Sequence, residues 1–354
     1  MRISRPGACS ALALTVAATV VAGFPAAAIA QPRHGTSSTP AVIAHRGASG
    51  YRPEHTLAAY ELAIEQGADY VEPDLVITKD GVLVARHENE IGGTTDVSGH
   101  PEYAGRKTTK TIDGKAVTGW FTEDFTLREL KTLRAIERLP AVRPANTAYD
   151  GTFAVPTLQE IIDLVKRQHR TVGIYPETKH PTYFRSIGKP LEEPLVKILK
   201  RTHPRKVVIQ SFETGNLRRL NRMIDVPLAQ LVDATGGPFG EPRTYDDLVT
   251  PAGLRTVSTY ADGIGLNTAR VITASGTPTT IVADAHRRGL VVHVWTVRAE
   301  NQFLPASFRD GTDPNAHGDV EGWIALLLAQ RVDGFFTDLP DVGRAAVDVG
   351  AAAA

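Results

Sequence analysis

The run AVIAHRGASGYRPEHTLAAYELAIEQGADYVEPDLVITKDGVLVARH, from Ala41 to His87, decides how the rest of the chain is read. It holds two apolar, β-rich segments, Ala41 to Ala44 and Tyr70 to Thr78, separated by the amphipathic stretch LAAYELAIEQG. Each segment delivers charge where a buried strand should stay apolar: the first ends in His45 and Arg46, and the second carries Glu72 and Asp74. Buried charges must be paired or bound to something. Glu72 and Asp74 are two apart, so on a strand they project to one face, where two carboxylates repel unless a cation or a shared proton sits between them. A divalent metal is the simplest answer. Lys79-Asp80-Gly81 then reads as the turn of a hairpin joining LVIT to VLVAR. Pairing Val76 with Val84 across it sets His87 beside Pro73 and Asp74. Two histidines, two carboxylates and an arginine thus converge at one end of neighbouring strands.

Beyond this run, β-rich segments recur near 41 to 45, 69 to 75, 172 to 177, 206 to 211, 226 to 232, 262 to 266, 290 to 296 and 332 to 337. Helical patterns lie between them near 54 to 66, 157 to 169, 191 to 202, 213 to 223, 279 to 288 and 317 to 330, with weaker ones around 243 to 258 and after 340. Such alternation marks a parallel α/β architecture. Eight units predict a closed (β/α)₈ TIM barrel, with the Asp80-Gly81 hairpin an excursion beyond the second strand. The alternative, an open doubly wound sheet, gathers its ligand at one switch point, whereas here polar residues recur at the C-terminal ends of many strands. Gly47-Ala48-Ser49-Gly50 lacks the spacing of a dinucleotide fingerprint. Residues 88 to 156 are an insertion with a hairpin turn at Asp113-Gly114 and a helical run TLRELKTLRAIERL. A connection this long is functional or a small subdomain.

Later strand ends add to the constellation. The third strand, TVGIYPETK, places Glu177 and Lys179 on one side. Glu177 is a third carboxylate for a metal, and Lys179 a positive charge for a bound phosphate. Carboxylates without a histidine-rich or cysteine cluster favour a hard ion, Ca²⁺ or Mg²⁺, over Zn²⁺. Gln210 ends the fourth strand and either touches the metal shell or substrate or satisfies backbone. Trp295 ends the seventh strand, and His293 two residues earlier reads as a core histidine. Asp338, after the eighth strand, could touch the site, but a helix N-cap is an adequate explanation for it. His55 reads as fixing the loop after His45, and Glu54 as a buttress for Arg46.

The charge balance is neutral, 39 basic against 39 acidic residues, which excludes the charge excess of a nucleic-acid binder or polybasic membrane anchor. With 42% hydrophobic residues a globular core is available. Residues 1 to 30 read as a signal peptide: Arg2 and Arg5, an apolar run from Ala11 to Phe24, and a cleavage site at Ala28-Ile29-Ala30. A disordered leader over 31 to 40 and a domain over 41 to 350 follow. A secreted protein without stable membrane insertion is expected. The only cysteine, Cys9, falls in the signal peptide, so the mature fold contains no disulfide and relies on core burial, aided by metal.

His45-Arg46-Gly47, Pro53-Glu54-His55-Thr56, Glu72-x-Asp74 and Lys79-Asp80-Gly81 leading to His87 resemble the motifs of the glycerophosphodiester phosphodiesterase family, in its long secreted or periplasmic branch. The likeness covers nearly the whole mature chain. It departs at His55, where the family more often has Asn, and at Glu88, where it usually has Asp. The resemblance implies hydrolysis of small-molecule glycerophosphodiesters to glycerol 3-phosphate and an alcohol, through a cyclic phosphate. It assigns acid–base work to His45 and His87, phosphate or substrate contacts to Arg46, Lys179, Gln210 and Trp295, and metal ligation to Glu72, Asp74 and Glu177. Ca²⁺ is the ion associated with that branch, with Mg²⁺ the alternative, and the insertion is implied to be a cap shaping the substrate pocket. A teichoic-acid (poly-glycerolphosphate) substrate and a non-catalytic phosphodiester-binding barrel are the competing readings.

Overall fold

A computed structural model describes residues 39–352; the signal peptide, Cys9 and residues 31 to 38 of the leader lie outside the described residues. The strands are β1 (Ala41–Ala44), β2 (Tyr70–Val71), β3 (Asp74–Ile77), β4 (Leu83–Ala85), β5 (Thr108–Ile112), β6 (Lys115–Gly119), β7 (Gly173–Ile174), β8 (Glu177–Thr178), β9 (Ile209–Ser211), β10 (Leu228–Val232), β11 (Gly263–Asn267), β12 (Val291–Val297) and β13 (Gly334–Thr337). Two barrel strands are each broken in half, into β2 with β3 and β7 with β8. Pro73 and Pro176 stand at the breaks, with no N–H for the ladder, while their carbonyls still accept from the backbone N–H of Glu177 (3.1 Å) and Gln210 (2.9 Å). Joining the halves, parallel pairing runs from β1 through β2/β3, β7/β8, β9, β10, β11, β12 and β13. β13 then pairs back onto β1, from Ala41 with Gly334 to Ala44 with Thr337. This closes the predicted TIM barrel.

Helices fall where the periodicity placed them: Leu57–Glu65, Leu158–Lys166, Glu192–Thr202, Thr214–Met223, Ile281–His286, Val320–Ala329 and Pro340–Ala352, with the weaker pattern resolved into Tyr245–Val249 and Pro251–Val257. Local chemistry fixes their starts. Thr56 caps the first by accepting from the Ala59 N–H, and Thr157 with Glu160 forms a capping box. No helix among the described residues is long and apolar enough to cross a membrane.

The hairpin after the second barrel strand has the expected register, Val76 opposite Val84, and the Arg86 N–H donates to the Asp74 carbonyl at 2.9 Å. In the insertion, Asp113-Gly114 closes the β5–β6 ribbon, with Ile112 opposite Lys115. The expected helical run after Thr126 shrinks to one turn, Leu127–Leu130. Arg134 exchanges backbone hydrogen bonds elsewhere, its carbonyl accepting from the Asp96 N–H and its N–H donating to Asp96 Oδ1, so the helical ladder has no continuation. Val97, Trp120, Phe121, Phe125, Leu130 and Leu133 are buried in one cluster with the barrel core.

Candidate active site

At the C-terminal ends of the barrel strands lies a cavity of about 270 Å³ lined by His45, Arg46, Glu72, His87, Glu177, Lys179, Gln210 and Trp295. Strand register builds its floor: Asp74 on β3 stands opposite Glu177 on β8, which stands opposite Gln210 on β9. Ligand oxygens of Glu72, Asp74 and Glu177 all lie within 4.8 Å of one another. A somewhat larger cavity, about 320 Å³, opens at the other end of the strands between Tyr70, Tyr175 and His293. Its aspartates, Asp69, Asp262 and Asp333, are each taken up by the backbone N–H of a neighbouring strand, and the working face of a parallel barrel is the C-terminal one.

The acidic trio is electrostatically incomplete. Burial, then Asp74 and Glu177, push Glu72 well above the ordinary carboxylate range. Burial pushes Glu177 up to about 7 against the pull of Lys179, with Asp74 adding to the rise. Burial acts on Asp74 too, but His55, donating from Nε2 to Oδ2 at 3.0 Å, holds it low. Its other oxygen, Oδ1, is buried with no hydrogen-bond partner among the described residues. Crowded, desolvated carboxylates with an unused oxygen are a donor set suited to a hard divalent cation. Gln210 donates its side-chain N–H to Glu72 Oε1 at 2.6 Å, a contact with the acidic trio rather than with backbone. His55 ties the loop after His45, its backbone N–H donating to the Arg46 carbonyl at 3.0 Å, and its ring also orients the Asp74 carboxylate.

The cations are braced. Arg46 donates to Glu54 at 3.0 Å and sits 3.4 Å from Asp74, and Arg138 of the insertion grips the same Glu54 at 2.8 Å. Lys179 pairs with Glu177 at 2.9 Å. Arg46 adopts a left-handed φ of +61° and is followed by Gly47 at +90°. A Cβ on Gly47 would lie 2.7 Å from the Ala59 backbone, so this turn can press onto the first helix only with glycine there.

Each catalytic candidate histidine is held at Nδ1 by a carboxylate. His45 Nδ1 lies 2.5 Å from Asp338 Oδ1, and His87 Nδ1 lies 2.9 Å from Glu88 Oε1. That contact fixes the tautomer and leaves Nε2 toward the cavity. Burial lowers His45 to about 4, with Arg46 adding to the fall and Asp338 opposing it. Burial, Arg46 and Lys179 lower His87 to about 3.

Asp338 is therefore not explained as a helix cap. Its carboxylate turns into the site, where His45 takes one oxygen and Arg143 (2.5 Å) and Arg298 (3.0 Å) take the other. Arg143 also binds Glu300 at 2.6 Å. Of the two sequence expectations for Asp338, contact with the site is the one met; sequence reading missed Arg143, Arg298 and Glu300. No residue of 88 to 156 lines the cavity; the insertion reaches the site from behind its side chains instead. Trp295 lines the wall, donating to the Gly265 carbonyl at 3.0 Å and meeting Phe212 edge-on. His293 is a satisfied core histidine, 3.0 Å from the Tyr175 hydroxyl.

The model of the Glycerophosphoryl diester phosphodiesterase family matches residues 45–342. A glycerophosphodiester phosphodiesterase of Arabidopsis thaliana is 38% identical over 323 residues, covering 85% of this chain and 84% of that protein. One from Haemophilus influenzae is 32% identical over 339 residues, covering 85% and 88%. Among solved structures, an Oleispira antarctica phosphodiesterase in complex with the product sn-glycerol-3-phosphate shares the fold with a TM-score of 0.60 at 22% identity, covering 88% of this chain and 97% of that one. A glycerophosphodiester phosphodiesterase from Agrobacterium tumefaciens gives 0.57 at 20% identity, covering 86% and 99%. With its motif residues gathered at one barrel mouth and the family model matched across them, this chain belongs to the glycerophosphoryl diester phosphodiesterase family.

Proposed function

We propose that this chain is a secreted, divalent-cation-dependent enzyme that hydrolyses glycerophosphodiesters to glycerol 3-phosphate and an alcohol. The observation carrying this is the pair of imidazoles, each held at Nδ1 by a carboxylate, lining one cavity with Arg46, Lys179 and the acidic trio. The relatives' names, and the product bound in the Oleispira antarctica protein, point to the same substrate class.

A phosphodiester carries one negative charge, and its cleavage needs that charge offset and the departing alkoxide protonated. Glu72, Asp74 and Glu177 would hold the cation, Ca²⁺ in this reading or else Mg²⁺, which when bound supplies positive charge to the phosphate oxygens. Arg46, braced by Glu54, offers donors in fork geometry, and Lys179 adds a point charge. One neutral imidazole takes the proton of the glycerol hydroxyl as that oxygen attacks phosphorus. The other, as imidazolium, gives a proton to the alcohol whose bond to phosphorus breaks. Water then opens the cyclic phosphate. Both rings are held neutral in the free site, and an anionic diester offsets Arg46 and Lys179, which favours the imidazolium needed.

The test is release of glycerol 3-phosphate from a panel of head-group diesters and poly-glycerolphosphate teichoic acid, with and without chelator. Activity should vanish in chelator and return with Ca²⁺ or Mg²⁺; full activity in excess chelator contradicts the carboxylate site. His45→Ala or His87→Ala should each cost at least roughly a hundredfold in turnover with little change in thermal stability. N-terminal sequencing of exported protein should begin at Gln31.

A further inference from the structure

Behind His87 a chain of hydrogen bonds leaves the barrel and ends in the insertion. Glu88 Oε1 is 2.9 Å from His87 Nδ1, Glu88 Oε2 is 2.7 Å from His180 Nε2, and His180 Nδ1 is 2.5 Å from Asp113 Oδ2. Asp113 opens the turn of the β5–β6 ribbon, at φ +45° with Gly114 at +79°, the mirror-image turn that suits a twisted hairpin. His180 is also left-handed, at φ +47°. Non-glycine residues in that region persist where their surroundings over-determine them. Here two such residues meet side chain to side chain.

Resting on the reading that His87 transfers protons, we propose that Asp113 and His180 are positioning residues for His87, acting through Glu88, and that this relay is how the insertion serves catalysis. The chemistry of the partners decides the state of the middle ring. An ionised carboxylate has no proton to give, so an imidazole between two of them donates from both nitrogens, as imidazolium. Burial opposes that charge, but the hydrogen bonds to Asp113 and Glu88 outweigh it and push His180 up to about 9. Lys179 and Glu213 are the other charged groups facing it; those facing His87 are Arg46, Lys179, Glu88, Asp74 and Glu54. Glu88 is about half exposed and would swing freely without its second oxygen anchored. Pinned by His180, it holds the Nδ1–H of His87 and keeps Nε2 aimed at the substrate.

The test uses full-length Asp113→Asn and His180→Gln, assayed on glycerophosphocholine across the pH range and melted in parallel. Asn-Gly suits the same turn, so Asp113→Asn removes the charge while keeping the hairpin. Each variant should lower kcat roughly tenfold, with KM within about twofold, and move the limb of the pH profile that His87→Ala abolishes. The double variant should be no worse than the weaker single one, as expected of residues acting as a unit. Wild-type kcat and pH profile in both single variants, with His87→Ala inactive, would overturn the relay and leave the proposed function standing. Full activity in His87→Ala would overturn both.

Discussion

The two histidines at the barrel mouth are oriented by the same device built in opposite materials. His45 and its partner Asp338 are 8% and 2% exposed, and Asp338 is clamped by two arginines. His87 and its partner Glu88 are 27% and 47% exposed, and Glu88 is anchored by a histidine. In each case a carboxylate fixes the tautomer and a cation neutralises that carboxylate. One cation is permanent, since guanidinium does not lose its proton in a protein; the other titrates. The difference teaches that one imidazole is part of the rigid interior, while the other depends on a surface network extending into the insertion.

The contrast breaks most visibly at the carboxylates. Asp338→Asn replaces the charged acceptor that sets His45 by a neutral amide with a donor at one end, and leaves Arg143 and Arg298 without a counter-charge, so kcat should fall roughly a thousandfold, as when a tautomer-setting aspartate is lost elsewhere. Glu88→Gln leaves an exposed side chain that water can replace and should cost only roughly ten- to a hundredfold. Steady-state kinetics on both variants decide it: equal losses would mean that the buried and the exposed supports do the same work.

Stability should separate the two networks as well. Arg143 binds Glu300 and Asp338 while it and both partners are buried. Replacing it with Met strands the buried Glu300 and leaves Asp338 with Arg298 alone on that oxygen, and should cost about 3 kcal/mol in urea denaturation. Asp113→Asn at the tip of the ribbon should stay within about 1 kcal/mol. If Arg143→Met unfolds no more easily than Asp113→Asn, the interior clamp is not a structural element.

What could be read from the sequence followed the range of the signal. The strands, helices and acidic trio were legible because strand periodicity, a two-residue spacing and an Asp-Gly turn are local. Glu177 and Asp74 became neighbours once the barrel was recognised, since sequential strands pair. Of the supports behind the histidines, Glu88 and Asp338 were legible as positions, but the pairings that clamp them were not. Asp338 lies 293 residues from His45, Glu300 lies 157 from Arg143, and Asp113 lies 67 from His180. No periodicity links such pairs; only closure of β13 onto β1, and the path of the insertion, bring them together. The same limit explains why the run after Thr126 was expected to be helical: its propensity is local, whereas the backbone partner at Asp96 that interrupts it is not.

The finest test of the contrast is its pH dependence. His180 has its folded pKa raised to about 9, above its ordinary 6.5, so the stability it contributes is fully present below pH 6.5 and is lost as pH rises through about 9. Asp338 and its arginines offer no such loss, because neither arginine titrates in that window. Wild type should therefore exceed His180→Gln by about 1–3 kcal/mol near neutrality, and the gap should close on the alkaline side, while the gap between wild type and Arg143→Met stays constant. Taking the difference between variants at each pH cancels the titrating groups that do not feel this ring; Glu213, which does, is pushed up by burial only to about 7, so the part of the slope above that value belongs to His180. A gap that stays flat through that window would mean that His180 is not an imidazolium between two carboxylates, and the exposed support would lose its cation.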